Sequence, residues 1–211
     1  MRAVFERVEA GRNETTVITD AGSAKQTVIR DAEAVFGAGF QNFVAGHPIA
    51  GTEQSGVAAA FPELYQQRRV ILTPTEDTSP AALDLVRARW QAAGAEVETM
   101  SAEHHDLVLA GTSHLPHLLA FGLVDCLNNL DDVDEIFRFA AGGFRDFTRI
   151  ASSDPIMWRD ICLSNRTEVM AMMKRYRDEM ERIYRALEEG DGEKLKQIFQ
   201  RAKKAPDAFC G

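Results

Sequence analysis

Residues 69–100 read RVILTPTEDTSPAALDLVRARWQAAGAEVETM, and this stretch decides the fold. The run RVILTP at 69–74 predicts a buried strand that stops at Pro74, since proline has no N–H to give a ladder. Ser79 followed by Pro80 marks a helix start. The serine hydroxyl can accept a free N–H of the first turn, and proline sits where its missing N–H costs nothing. In the helix that follows, Leu83, Val86 and Trp90 share one face. AEVETM at 95–100 is another strand. Strand, helix, strand in this order implies a crossover connection and a mostly parallel sheet.

The same alternation runs upstream. VFERVEA near the start is a short helical stretch, and TTVIT at 15–19 is β-branched and strand-like. AKQTVIRDAEAVFGAG at 24–39 spaces Val28, Ile29, Ala32 and Val35–Phe36 as a helix face and ends in Gly37 and Gly39, good residues for stopping a helix. FVAG at 43–46 is a further strand. After Ser101, a helix cap, the rhythm changes and no strand is predicted to the C-terminus. HLLAFGLVDCLNNL at 117–130 is apolar nearly all round and predicts a central helix buried on most sides. Asp131/Asp132 and Asp154-Pro155 open further helices. Residues 169–190 form a long amphipathic helix with a Met-rich face, ended by Gly190. The fold class is α/β plus all-α, with an α/β segment at 1–100 and a helical segment at 101–211. Four short strands leave the parallel sheet half covered, whereas such sheets are normally buried on both faces.

Composition narrows the function. A net charge of −8 argues against a general nucleic-acid surface and requires any anion site to be a local pocket of arginine and histidine. The three cysteines are widely spaced with no C-x-x-C, as expected for reduced thiols in a cytoplasmic protein. The N-terminus has no apolar core of a secretory signal. No apolar run approaches the roughly 20 residues of a membrane span, so no membrane partner is expected.

Several polar clusters could carry chemistry. HPIAGTEQSG at 47–56 follows a strand, and Pro48 holds His47 in an extended conformation. The C-terminal edge of a parallel sheet is where α/β folds bind ligands, and a neutral histidine there can accept a proton near pH 7. Gly51 and Gly56 permit close backbone approach, while Thr52, Glu53 and Ser55 supply polar groups or helix caps. In TDAGSAK at 19–25, Asp20 or Ser23 could cap the next helix, whose free N–H groups favour an anion or polar ligand atom. His114 and His117, in TSHLPHLLAF, lie i,i+3 on one helix face if the helix begins close to Pro116. H-x-x-H without a third ligand does not make a metal site, and none is expected; the pair reads as helix-start histidines or as pocket residues. Arg149, in GGFRDFTRIASSDPIMWRD, suits bidentate carboxylate binding, and Phe144, Phe147 and Trp158 suggest that it is partly enclosed.

TDAGSAK, HPIAGTEQSG, ILTPTEDT, HDLVLAGTSHLPH and GGFRDFTRIASSDPIMWRDI together resemble, in order, the motifs of the prephenate dehydrogenases and their arogenate-using relatives. The resemblance covers about residues 15–170 and, more weakly, the last helices. It implies a partial Rossmann-like sheet followed by a helical dimerisation domain. It implies NAD- or NADP-dependent oxidative decarboxylation of prephenate to 4-hydroxyphenylpyruvate, on the route to tyrosine, in a cytoplasmic homodimer. His47 matches the catalytic histidine that takes the proton of the ring hydroxyl, and Ser23 the serine that helps hold that hydroxyl and the histidine. His117 and Arg149 match positions that bind the substrate's carboxylates and side chain, with His114 beside them. Thr52 and Glu53 match pocket-lining positions, and Asp146 and Trp158 lie near the subunit junction. A base with pKa near 7 suits this proton removal.

The family's dinucleotide-binding turn, G-x-G-x-x-G between a strand and a helix, is not found in residues 1–211; GAGFQN at 37–42 supplies only the first two glycines. Met1 is therefore expected to fall inside the family's nucleotide-binding domain, and the 211-residue chain is expected to bind NAD weakly or not at all. Two readings stay open at this point: a prephenate-type dehydrogenase lacking the N-terminal part of that domain, or a non-catalytic dimeric remnant.

Overall fold

The computed structural model of the chain describes residues 1–51 and 56–209. It divides into two compact units, Met1–Val169 and Met170–Gly211. The first unit opens with α1 (Arg2–Glu9), β1 (Ile18–Thr19), α2 (Gln26–Phe36), β2 (Phe43–Val44), β3 (Gly46–Pro48), β4 (Arg69–Leu72), α3 (Pro80–Ala92) and β5 (Glu96–Thr99). Strand β1 pairs parallel with β2, and β4 parallel with β5. Strand β3 runs antiparallel to β4, with His47 opposite Ile71. FVAG is thus not one strand: the chain changes partner at Ala45, whose carbonyl accepts the Thr73 N–H at 2.8 Å. The antiparallel pair has a simple cause. Among the described residues, β3 and β4 are joined by a loop with one 3-10 turn (Val57–Ala59), not by the helix that a parallel crossover needs.

Two apolar clusters hold this layer. Phe5, Ile18, Val28, Phe36 and Phe43 pack together, with the Phe5 and Phe43 rings edge to face at 5.5 Å. Val44, Val70, Leu72, Ala82 and Val86 form the second cluster, with Leu83 and Trp90 of α3 laid against it. Full burial of each Val or Leu contributes about 1.5–3 kcal/mol. The predicted caps form: Ser79 Oγ accepts the Ala82 N–H and Ser101 Oγ the His104 N–H, each at 3.1 Å.

Helix α4 (Ala102–Leu109) runs through a π-helical turn (Ala110–His114) into α5 (Leu115–Asn128). The helix therefore does not begin at Pro116 as expected. It passes through, and the wider turn just before accommodates a ring that would clash with the carbonyl four residues back. Helix α5 also departs from the buried central helix predicted. Only Leu115 and Ala120 are buried on it, and Leu123 is exposed, so much of its apolar surface is open in the single chain. Residues Ala102–Asn128 form one helix of 27 residues containing an 18-residue window of mean hydropathy 1.5, long and apolar enough to cross a membrane by length and composition alone. It is not an uninterrupted apolar run, since Glu103, Asp106 and Asp125 break it. The same helix carries Asp106, bonded to the backbone of Lys25 and Gln26, which ties its first half into the unit.

Next come α6 (Val133–Arg138), α7 (Gly142–Thr148), a 3-10 turn (Arg149–Ser152) and α8 (Pro155–Ser164). Helix α8 is capped by Asp154, whose Oδ1 accepts the Ile156 and Met157 N–H groups at 2.8 and 2.9 Å. Helix α9 (Arg166–Glu188) leads into the second unit, where the chain turns at Gly190 (φ +66°) into α10 (Gly192–Phe209). Ala186 and Ile198 are buried there, and Met173, Met180 and Tyr184 are exposed.

Candidate functional site

The site is built at the ends of β1 and β3. Asp20, just after β1, collects the Gly22 N–H at 2.7 Å, the Gly46 N–H at 3.0 Å and the Lys25 ammonium at 2.5 Å. Lys25 Nζ also donates to the Gly46 carbonyl at 2.5 Å, and the Lys25 and Asp20 side chains are 0% and 3% exposed. Burial pulls the Lys25 pKa down, against the opposing pull of Asp20. This knot fixes the residue before His47. It also explains the glycine: a Cβ on Gly46 would stand 3.1 Å from Leu72 Cδ2, 3.2 Å from the Asp20 carbonyl and 3.3 Å from Thr19 Oγ1. Gly51 and Gly56 were expected to allow close approach. A Cβ on either would meet nothing within 4 Å, and what they supply is positive φ, +143° and +88°.

Neither Asp20 nor Ser23 caps α2. The cap comes from 81 residues away: Asp106 Oδ1 accepts the Lys25 N–H at 2.8 Å and Oδ2 the Gln26 N–H at 3.0 Å. The anion-favouring helix start is filled by the chain's own carboxylate. Asp106 Oδ1 is also 2.8 Å from His105 Nδ1, and His105 Nε2 is 2.8 Å from His47 Nδ1. Burial alone would raise the Asp106 pKa, but the hydrogen bonds from His105, Lys25 and Gln26 outweigh it and hold the pKa down.

His47 lines a cavity of about 630 Å³ together with Ser23, His114, His117, Trp158 and Arg68. Burial, then the charges of His105, Lys25 and His114, pushes the His47 pKa down to about 3, against Asp106. The expected base with pKa near 7 is thus a neutral imidazole far below that value, because its surroundings disfavour the imidazolium. His114 is held down to about 4, first by burial. Its Nδ1 faces Asn165 Nδ2 at 3.2 Å, and the same Asn165 amide donates to the Asp106 carbonyl at 2.7 Å. With Nδ1 accepting, His114 carries its proton on Nε2, a buried atom that has no partner among the described residues. His117 stacks on Trp158 with ring centroids 3.5 Å apart and donates from Nδ1 to the Ser113 carbonyl at 2.9 Å. Burial lowers its pKa too, partly offset by that bond.

Ser23, His47, His114, His117 and Trp158 thus meet on one cavity. Arg149 does not line it. It is exposed on the 3-10 turn, while its neighbour Ile150 lines the cavity, so the partial enclosure expected from Phe144, Phe147 and Trp158 is not found. Asp146 is exposed on α7. Thr52 and Glu53 lie outside the described residues. Sequence reasoning passed over Lys25, Arg68, His105, Asp106 and Asn165. The visible signals were a lysine inside the small-residue run TDAGSAK and an aspartate directly after the pair His104-His105. A larger cavity of about 840 Å³ is lined in part by Arg30 and Glu33 of α2 and by Glu168, but it holds none of the three pocket histidines.

An α/β layer presenting a histidine at a strand end, faced by a helical segment with two more, defines a ligand-binding protein of nucleotide-binding-domain type with a helical half. Residues 1–99 match the family model described as the nucleotide-binding domain of prephenate dehydrogenase, and residues 101–201 match that of its dimerization domain. The chain belongs to the prephenate dehydrogenase family. It is 39% identical to the prephenate dehydrogenase of Bacillus subtilis, over 97% of this chain and 55% of that protein. The crystal structure of prephenate dehydrogenase from Aquifex aeolicus superposes with a TM-score of 0.90 at 38% identity, over 99% of this chain and 73% of that one. The Aquifex aeolicus enzyme in complex with hydroxyphenyl propionate and NAD+ gives 0.87 at 40% identity, over 98% and 72%. The chain spans about half the length of the Bacillus subtilis relative.

Proposed function

We propose that this chain acts in the oxidative decarboxylation of prephenate to 4-hydroxyphenylpyruvate, with NAD or NADP as the hydride acceptor, on the route to tyrosine. The observation that carries the reading is the convergence of Ser23, His47, His114 and His117 on one cavity, from segments up to 94 residues apart in a chain of this family. His47, neutral at pH 7, accepts the proton of the substrate's ring hydroxyl, and Ser23 lines the same wall to orient that hydroxyl. The partnerless Nε2–H of His114 offers a donor to a substrate oxygen. His117 meets the substrate from its stacked position on Trp158, and Arg68 brings positive charge to the cavity wall for a carboxylate; Arg149, outside the lining but next to the lining residue Ile150, is the second arginine of the proposal.

The fit to the dinucleotide itself is incomplete. Residues 1–211 contain no G-x-G-x-x-G turn for its pyrophosphate. When bound, it supplies the hydride acceptor. We place the homodimer contact on the helical segment, near Asp146 and Trp158. The matched dimerization model and the exposed Leu123, Ile156 and Leu163 support that placement. The free thiols Cys126 and Cys162 support a reducing, cytoplasmic setting. The test is steady-state oxidation of prephenate with NAD or NADP, followed by nicotinamide absorbance. His47→Asn is expected to lower kcat by roughly 10²–10⁴-fold. Unchanged activity in that variant would remove His47 from the mechanism.

A further inference from the structure

The buried chain His47–His105–Asp106 has a determined direction. Asp106 is 1% exposed, and its Oδ1 already takes the Lys25 N–H. An ionised carboxylate only accepts, so the hydrogen in the 2.8 Å contact with His105 belongs to His105 Nδ1. In its neutral form His105 then has a bare Nε2, which must accept. The hydrogen in the 2.8 Å contact with His47 therefore sits on His47 Nδ1. The remaining ring nitrogen, His47 Nε2, is left as a lone pair. We propose that His105 and Asp106 are positioning residues that lock His47 in its Nδ1–H tautomer and so present Nε2 to the cavity as proton acceptor. The proposal rests on His47 being the proton acceptor of the proposed reaction.

The lock has a second consequence. When a hydroxyl O–H breaks and its proton bonds to Nε2, His47 becomes an imidazolium in a site that disfavours one. Its Nδ1–H then points along a bond to His105 that ends on a carboxylate. The Nδ1 proton can be shared toward His105 Nε2, whose own Nδ1–H stays on Asp106. Positive charge is drawn away from Lys25, which repels it, toward Asp106. His114, which also acts on His47, carries its proton on Nε2 and donates nothing to this chain, while Arg68 and His117 line the same cavity.

The test reads the tautomer directly. In the full chain labelled with ¹⁵N-histidine at pH 7, His47 is expected to show a protonated Nδ1 and a bare Nε2, and so is His105. A His47 with its proton on Nε2 overturns the proposal, whatever the activity. Two substitutions at His105 separate positioning from packing. His105→Asn keeps a donor near Asp106 but removes the acceptor for His47, while His105→Gln keeps an acceptor further out. His105→Asn is expected to release the His47 tautomer and lower kcat by roughly 10²–10³-fold with KM within about threefold, and His105→Gln to restore kcat at least about tenfold. Equal activity of both variants and the wild type, or equal losses with the His47 tautomer unchanged, overturns the proposal. Should neither variant fold, the wild-type spectrum decides. A correct tautomer in a chain that fails to oxidise prephenate would count against the proposed function and leave the lock standing.

Discussion

Burial of a neutral His47 should make stability fall on acidification, by an amount that can be worked out. The side chain is 9% exposed, and its pKa is pushed from 6.5 down to about 3. Below pH 6.5 the unfolded chain takes up a proton at this residue and the folded chain does not, so stability drops as pH falls, until about pH 3. At pH 4.5 the unfolded histidine has gained two pH units of advantage, at about 1.4 kcal/mol each, or about 3 kcal/mol. His47→Asn removes the titration while keeping an N–H that can reach His105 Nε2. His105, Lys25, His114 and Asp106, which all face His47, are common to both proteins, including the His114 titration near pH 4. Urea unfolding followed by circular dichroism at pH 7.0 and 4.5 measures the comparison. The wild type is expected to lose about 3 kcal/mol more than the His47→Asn protein over that interval. Parallel losses, within about 1 kcal/mol, would refute the claim that a neutral, desolvated His47 is what acid disrupts.

Three further outcomes follow from the same geometry. Lys25→Met leaves Asp20 buried without its cation and is expected to cost about 3–5 kcal/mol in urea unfolding; adding Asp20→Asn should recover at least about 1 kcal/mol, and no recovery would mean that packing, not charge, was lost. Gly46→Ala forces a methyl against Leu72, the Asp20 carbonyl and Thr19, and is expected to cost about 1–3 kcal/mol and lower kcat; a wild-type melting curve would count against it. Arg68→Ala is expected to raise KM for prephenate about tenfold, the worth of one charged hydrogen bond, with kcat within about twofold; an unchanged KM would take Arg68 out of carboxylate binding.

What the sequence disclosed and what it concealed divide along sequence distance. Ser79-Pro80, Ser101 and Asp154-Pro155 announce their helices because a cap acts within three residues, and each cap bond forms as read. The face formed by Leu83, Val86 and Trp90 was legible because helical period is local. The break at Ala45 was not, since FVAG fits one strand, and the switch from β1 to β4 depends on a segment 25 residues later. The exposed apolar face of α5 reads as core because composition does not say which chain covers it. His47, His114 and His117 were singled out as chemistry-bearing, yet the groups that set their protonation, Lys25, His105, Asp106 and Asn165, come from three places in the chain.

Asp106 shows why those concealed residues matter to the proposed reaction. Helix α2 has no side-chain cap of its own at Lys25, and its first N–H groups would ordinarily draw an anion. Asp106 fills that position, so a dicarboxylate entering the cavity cannot bind there and must find its positive charge elsewhere. In a chain of net charge −8, Lys25 is spent on Asp20 and Gly46. That leaves Arg68, the arginine on the cavity wall. In the proposed lock the same carboxylate, through His105, holds His47 with its lone pair toward the cavity. One residue thus closes the wrong anion site and aims the base at the right one, which is why replacing Asp106 should disturb substrate orientation and proton transfer together, whereas His105 substitutions should touch the second alone.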